Sequence, residues 1–178
     1  MPIPSQSTIS PLRPDITTFM HLASARLGIP LPPPKDVFDF AHGGPPSQTN
    51  LFAARAIRGE KTATTSWPIP DPLYWSVGDL SVILDGEGKP AAVMRTLSFR
   101  KCMFEDVEEE FALAEGEGDY EEYRKGHFEF YRRTEGEVGE KFGEKSMVLC
   151  ERFEVIFPRR EDVEGGRWWG EEGKKEEV

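Results

Sequence analysis

The sequence predicts an α+β domain: a small mixed β-barrel with helices on its flank, preceded by an N-terminal helix. Three observations carry this. The apolar period switches from helical to strand-like just after Gly59 and returns to helical at Phe104. The resulting order of helix, helix, strands, two helices and strand holds too few strand–helix–strand units for a doubly wound sheet. The length of 178 residues suits one domain with tails rather than two domains.

Each element has its own signal. Residues 1–14 are rich in Pro, Ser and Thr and are expected to be a disordered lead. From Asp15, DITTFMHLASARLG has helical spacing. Asp15 is the expected cap, Phe19, Leu22, Ala23 and Leu27 the apolar face, and Gly28 the stop. PLPPP at 30–34 blocks any helix, and a second short helix fits 48–58, with Leu51, Ala54 and Ile57 inward and Gly59 at its C-terminal end. TATTSW is rich in β-branched residues, and residues 77–101 read as two strands around a turn at Asp85-Gly86-Glu87-Gly88. Over 104–114 the spacing predicts a helix with Phe104, Val107, Phe111 and Ala112 on one face. After EGEG, Asp119 and Glu122 form a capping box for a helix running to about Arg133. Residues 145–157 predict the last long strand. Residues 159–178 are a charged, Gly-rich stretch expected to be a disordered tail, which leaves 15–158 as the single folded domain.

Composition narrows the partners. The net charge of −10 is local, because residues 105–122 hold ten acids (Glu105, Asp106, Glu108, Glu109, Glu110, Glu115, Glu117, Asp119, Glu121 and Glu122) and no base. The rest of the chain is neutral, without the basic footprint that drives non-specific nucleic-acid binding. A long duplex is therefore not an expected partner, while a small ligand or a short unpaired segment is. No apolar run reaches membrane-spanning length and the N-terminal text lacks the core of a signal peptide, so a cytoplasmic or nuclear setting is expected. Cys102 and Cys150 lie in apolar, strand-like text and read as buried reduced thiols.

Two stretches invite chemistry. In RGEKTATTSW (58–67), Lys61 stands between a helix end and a strand. Strict alternation would put Lys61 and Thr64 on opposite faces, so they converge only if Lys61 lies in the turn and Thr64 near the strand start. Spacing alone favours the plainer reading, a solvent-exposed lysine followed by ordinary strand threonines. In EGEGD (115–119), glycines separate three carboxylates. Either this is a polar loop, or the glycines let the backbone approach another element and aim Glu115 or Glu117 inward, where a buried carboxylate needs a partner. Lys61, Arg95 and Arg124 are the candidate partners, and at least one arginine is expected to pair with Glu117 or Glu151. His127-x-Glu129 lacks the second half of a zinc deaminase motif, and the three histidines and two cysteines show no ligand spacing, so no metal and no cofactor are expected. Arg167-Trp168-Trp169 could stack bases or dock on the domain.

Taken together, Gly59-x-Lys61-x-x-Thr64, Val77-Gly78-Asp79-Leu80, the Asp85-Gly86 turn, Arg95-Thr96, Phe111-Ala112 followed by EGEGD, Tyr123-Arg124 before His127, and Cys150-Glu151-Arg152-Phe153 resemble the ASCH domain, and within it the YhfF-like branch. The resemblance covers about 48–157. It implies a PUA-like barrel and an association with RNA or modified nucleosides. One ASCH branch is similar in using a lysine, a threonine and a glutamate to hydrolyse an acyl-amide on a cytidine, and another is ribonuclease-like. Carried over, these roles fall on Lys61, Thr64 and Glu115, with Thr65, Arg95, Glu117, Arg124, His127 and Glu151 as pocket wall. In that scheme Thr64 Oγ is the nucleophile, Lys61 the base or oxyanion stabiliser, and Glu115 the group that orients it. A carboxylate beside Lys61 would keep it cationic, which suits binding at least as well as catalysis. Two functions follow from the resemblance: a hydrolase acting on a modified nucleoside or short RNA, or a non-catalytic module binding a nucleoside, nucleotide or short single-stranded RNA.

The charge distribution makes a first prediction. Binding to random duplex DNA should be weak and should fade with modest salt in a filter or polarisation assay. Sub-micromolar affinity at physiological salt would overturn it.

Overall fold

A computed structural model describes residues 10, 11 and 13–164. Five strands form one sheet in the order β1-β3-β4-β5-β2, where β1 is Asp36–Phe38, β2 Ala63–Ser66, β3 Leu80–Leu84, β4 Pro90–Met103 and β5 Met147–Phe157. β1 runs parallel to β3 and all other neighbours are antiparallel. The ladder does not close between β1 and β2, so the barrel-like sheet keeps two edges. β4 pairs with both β3 and β5 and carries irregularities at Val93/Met94 and Thr96/Ser98. Such irregularities increase local twist, which a curled sheet requires.

The described residues also form α1 (Pro14–Leu27), α2 (Pro46–Ile57), α3 (Glu109–Ala114) and α4 (Tyr120–Val138), which flank the sheet, and the short α5 (Arg160–Glu164). α1 buries Ile16, Phe19, Met20 and Ala23 against Val37, Leu80, Val82, Leu84, Val93 and Phe157. α2 buries Ala53, Ala56 and Ile57 against Ile83, Ala92, Met94 and Phe153. α3 and α4 cover β2 and the start of β5 through Phe111, Ala112, Tyr123 and Tyr131, packed on Ala63, Trp67, Val148 and Cys150.

Several sequence expectations shift. Pro14 opens α1, so Asp15 lies inside the first turn instead of capping it, where it pairs with Arg13 and accepts the Ile16 amide. In α2 the buried face is Thr49, Phe52, Ala53, Ala56 and Ile57, and Leu51 is exposed. The helix begins at Pro46, two residues before the expected start. The helix expected over 104–114 is a 3-10 turn at Phe104–Asp106 followed by α3, although Phe104, Val107, Phe111 and Ala112 are all buried. β1 was not read from the sequence, and α5 falls where a tail was expected. The turn at 85–88 and the Asp119–Glu122 capping box form as expected. Cys102 and Cys150 are free, with sulfurs 3.8 Å apart on β4 and β5. Trp168 and Trp169 lie outside the described residues.

α1 is integral to this core. Phe19 is buried and meets Phe157 edge-on, with ring centroids 5.5 Å apart. Phe19→Ala should cost about 3–5 kcal/mol in urea denaturation, the usual range for a buried Phe→Ala change. A loss below about 0.5 kcal/mol, the surface level, would show that α1 is dispensable.

Candidate functional site

β2 is an edge strand, so the backbone groups of Ala63 and Thr65 that point away from β5 have no strand to pair with. Side chains take the place of that strand. Lys61 Nζ donates to the Ala63 carbonyl at 3.1 Å. The Thr65 amide donates to Glu115 Oε1 at 2.6 Å, and the Tyr131 hydroxyl donates to the Thr65 carbonyl at 2.9 Å. Thr65 Oγ1 and the Tyr123 hydroxyl share a further bond of 2.7 Å. Tyr123, His127 and Tyr131 stand four residues apart on α4 and so share one face, turned to this edge.

Lys61 is 1% exposed. Its three protons go to the Ala63 carbonyl, the Glu115 carbonyl at 3.1 Å and Glu117 Oε1 at 2.9 Å. The charge also lies 4.7 Å above the Phe40 ring. This arrangement refines the expected pairing. The bonded carboxylate is Glu117, while Glu115 Oε1 is 4.0 Å from Nζ. Glu115, fully buried, instead places Oε2 2.7 Å from His127 Nε2, and the His127 Nδ1 proton goes to the Tyr123 carbonyl at 2.9 Å. An imidazolium satisfies both contacts at once.

The quartet is thus charge-balanced: Lys61 and His127 against Glu115 and Glu117. Burial pushes the Glu115 carboxyl up, but the charges of His127 and Lys61, with the His127 and Thr65 bonds, outweigh it and hold the group below its ordinary range. Burial pushes His127 down, but Glu115 and then Glu117 outweigh that and raise it. Glu115, Glu117 and His127 could also offer three atoms to a cation. The 2.7 Å Nε2–Oε2 contact and the Lys61 ammonium on Glu117 already fill that role.

The glycines of EGEGD act as the sequence suggests. Gly116 has φ +66°, and a Cβ there would lie 2.5 Å from the Glu60 carbonyl oxygen, so only glycine lets this turn approach the Lys61 segment. Arg55, which the sequence reading missed, anchors the same turn by donating to the Gly116 carbonyl at 2.6 Å.

Other expected residues fall elsewhere. Thr64 is the register partner of Glu151, and strand alternation places its side chain on the face opposite Thr65. Among the described residues no hydrogen bond links Thr64 to Lys61 or Glu115. Arg95 pairs with Glu154 and Arg124 with Glu144, at 3.3 and 2.7 Å. The expected arginine pairing with Glu117 or Glu151 does not form, because both arginines lie at the rim where surface acids are nearer. Glu151 is instead a buried acid without a cation. It accepts from Thr96 Oγ1 at 2.6 Å and from Trp75 Nε1 at 3.3 Å. Burial, reinforced by the Asp36 charge, pushes its carboxyl up to about 7, and burial pushes Asp36 up to about 6. A shallow cleft of about 640 Å³ between residues 67–69 and 140–147 touches none of the expected site residues.

The family model of the ASCH domain matches residues 39–157. A crystal structure of an ASCH domain from Lactobacillus crispatus is similar at 25% identity and a TM-score of 0.69, covering 81% of this chain and 95% of its own. A protein from Enterococcus faecalis is similar at 25% identity and a TM-score of 0.68, covering 80% of this chain and 92% of its own. No curated protein matches the sequence.

The shifted groups predict a pH profile. His127, raised in the fold, contributes stability that is complete below its unfolded value of ~6.5 and is lost as pH rises through the folded value. Glu115, lowered, contributes above its unfolded value of ~4.3, and this is lost as pH falls through the folded value. Glu151 and Asp36, both raised, bind protons more tightly when folded, so stability declines as pH rises from ~4 towards about 7 for Glu151 and about 6 for Asp36. Denaturant midpoints should therefore peak at mildly acid pH and fall towards alkaline pH. His127→Gln should flatten the alkaline limb, and equal wild-type midpoints from mildly acid to alkaline pH would contradict this assignment.

Proposed function

Because this chain belongs to the ASCH domain family, we propose that it is a binding module for a nucleoside, a nucleotide or a short single-stranded RNA. The association with RNA and modified nucleosides comes from the family resemblance. What supports binding over lysine-assisted hydrolysis is one observation: all three Lys61 protons are spent on Ala63, Glu115 and Glu117. A general base needs a free lone pair to take a proton, and Lys61 Nζ already donates to a carboxylate and two carbonyls. In this reading Lys61, Glu115, Glu117 and His127 build the wall that holds β2 in place. Among the described residues no helix is long and apolar enough to cross a membrane.

A second reading, hydrolysis of an acyl-amide on a cytidine or of a short RNA, is favoured by a different observation. Thr64 faces Glu151 across the β2–β5 ladder, and burial pushes the Glu151 carboxyl up to about 7, the range that suits a general base at neutral pH.

One experiment separates the two. Isothermal titration with nucleosides, nucleotides and short single-stranded RNA should give saturable binding, and incubation with acylated cytidines or the same RNA should give no product. Thr64→Ala should change affinity only modestly. Product formation that disappears in Thr64→Ala while affinity persists would replace the binding reading with the hydrolytic one.

A further inference from the structure

We propose that Tyr74, Trp75, Thr96, Phe99 and Glu151 form the subsite that reads a single unpaired nucleobase, with Glu151 Oε1 as the hydrogen-bonding group and the neighbouring aromatic rings as the stacking surface. This rests on the binding reading and names its place, on the β2–β5 face opposite the Thr65 side chain.

The carboxyl of Glu151 is only 3% exposed, yet it has no lysine, arginine or histidine partner among the described residues. The other buried carboxylate, Glu115, lies in the charge-balanced quartet. A buried acid without a counter-charge is costly to keep, and where only stability matters an apolar residue often does better. Both of its protein bonds, from Thr96 and Trp75, go to Oε2. Oε1 has no hydrogen-bond partner among the described residues, and it is not one of the fully sealed, unbonded side-chain atoms there. One oxygen is therefore fixed by two donors and the other is left to meet something else. Near neutrality this oxygen can accept from an amino or imino N–H as a carboxylate, or donate to a ring nitrogen or carbonyl as an acid.

The surroundings select a flat, uncharged ligand. Trp75 meets Tyr74 and Phe99 edge-on, with ring centroids 4.7 and 5.8 Å apart. Tyr74 is 38% exposed, and Val77 and Leu97 are exposed apolar side chains. They flank the Gly78 amide, which donates to the Thr96 carbonyl at 2.8 Å. Leu97 stands at the β4 irregularity, which takes it out of regular pairing. The remaining titratable groups acting here are Asp36 and Tyr74, which also influence each other. Two acids with no paired cation among the described residues would repel a phosphate, so the base must enter here with its phosphate turned outward. Aromatic rings with one polar handle suit a base, because every base has a π-face and a hydrogen-bonding edge.

The test is an NMR titration of the full chain with the four nucleoside 5′-monophosphates and with hexauridylate. The indole N–H resonance of Trp75, identified with Trp75→Phe, should move on binding. Tyr74→Ala, which changes an exposed side chain, should weaken binding about tenfold or more. Glu151→Gln keeps the two bonds to its oxygen but presents only N–H donors outward, so it should change the order of preference among the four bases. If the wild type binds while the Trp75 resonance stays still, and both variants bind like wild type, the subsite is elsewhere and the binding reading survives. If the wild type binds none of the panel, both fail.

Discussion

The free edge of β2 is the constraint on which the rest of this molecule depends. A sheet edge exposes backbone donors and acceptors, which natural proteins must cover or charge. Here the Ala63 carbonyl, the Thr65 amide and the Thr65 carbonyl are met by an ammonium, a carboxylate and a phenol. Those three groups come from three segments: the turn before β2, the EGEGD loop and α4. The edge is closed by tertiary contacts instead of a sixth strand. This also explains why charged groups tolerate burial, since each is hydrogen-bonded and the four charges cancel.

Such closure couples the loop, the helix and the strand. Gly116 must approach Glu60 closely for Glu115 to reach Thr65, and Arg55 on α2 holds the same turn. The acidity of residues 105–122 is accordingly uneven in purpose. Glu115 and Glu117 meet buried cationic partners, Asp119 and Glu122 cap α4, and Glu108 and Glu110 form exposed pairs with Arg100 and Arg152. Exposed pairs of that kind contribute little. A run of like charge therefore contains two structural ions, one cap and a solvated remainder.

The two faces of β2 are consequently different in kind. Toward α4, the Thr65 side enters a saturated network in which the protons of Lys61 are all placed. On the other face, Thr64 meets Glu151, whose outer oxygen is open and whose neighbours are aromatic. The invariable logic of strand alternation assigns adjacent threonines to these two settings. One threonine builds; the other borders the subsite proposed for a base.

By itself the sequence determined the alternation of helix and strand, because apolar spacing, the Asp119–Glu122 capping box and the Asp85-Gly86 turn are local signals carried within a few residues. It also showed that Lys61 and EGEGD belong together, through the motif match and the need of a buried carboxylate for a partner. It did not show β1, a three-residue strand whose pairing with β3 is wholly non-local, nor the true inward face of α2, which a shift of one residue along an Ala-rich helix leaves equally plausible. Which carboxylate bonds Lys61, and the absence of arginine from the site, were likewise decided by tertiary structure. Spacing says which residues share a face; only the packing of α4 against the β2 edge puts His127 nearer to Glu115 than Lys61 is. Hydrogen bonds act over about 3 Å, and distances that short between remote segments are set by the fold as a whole.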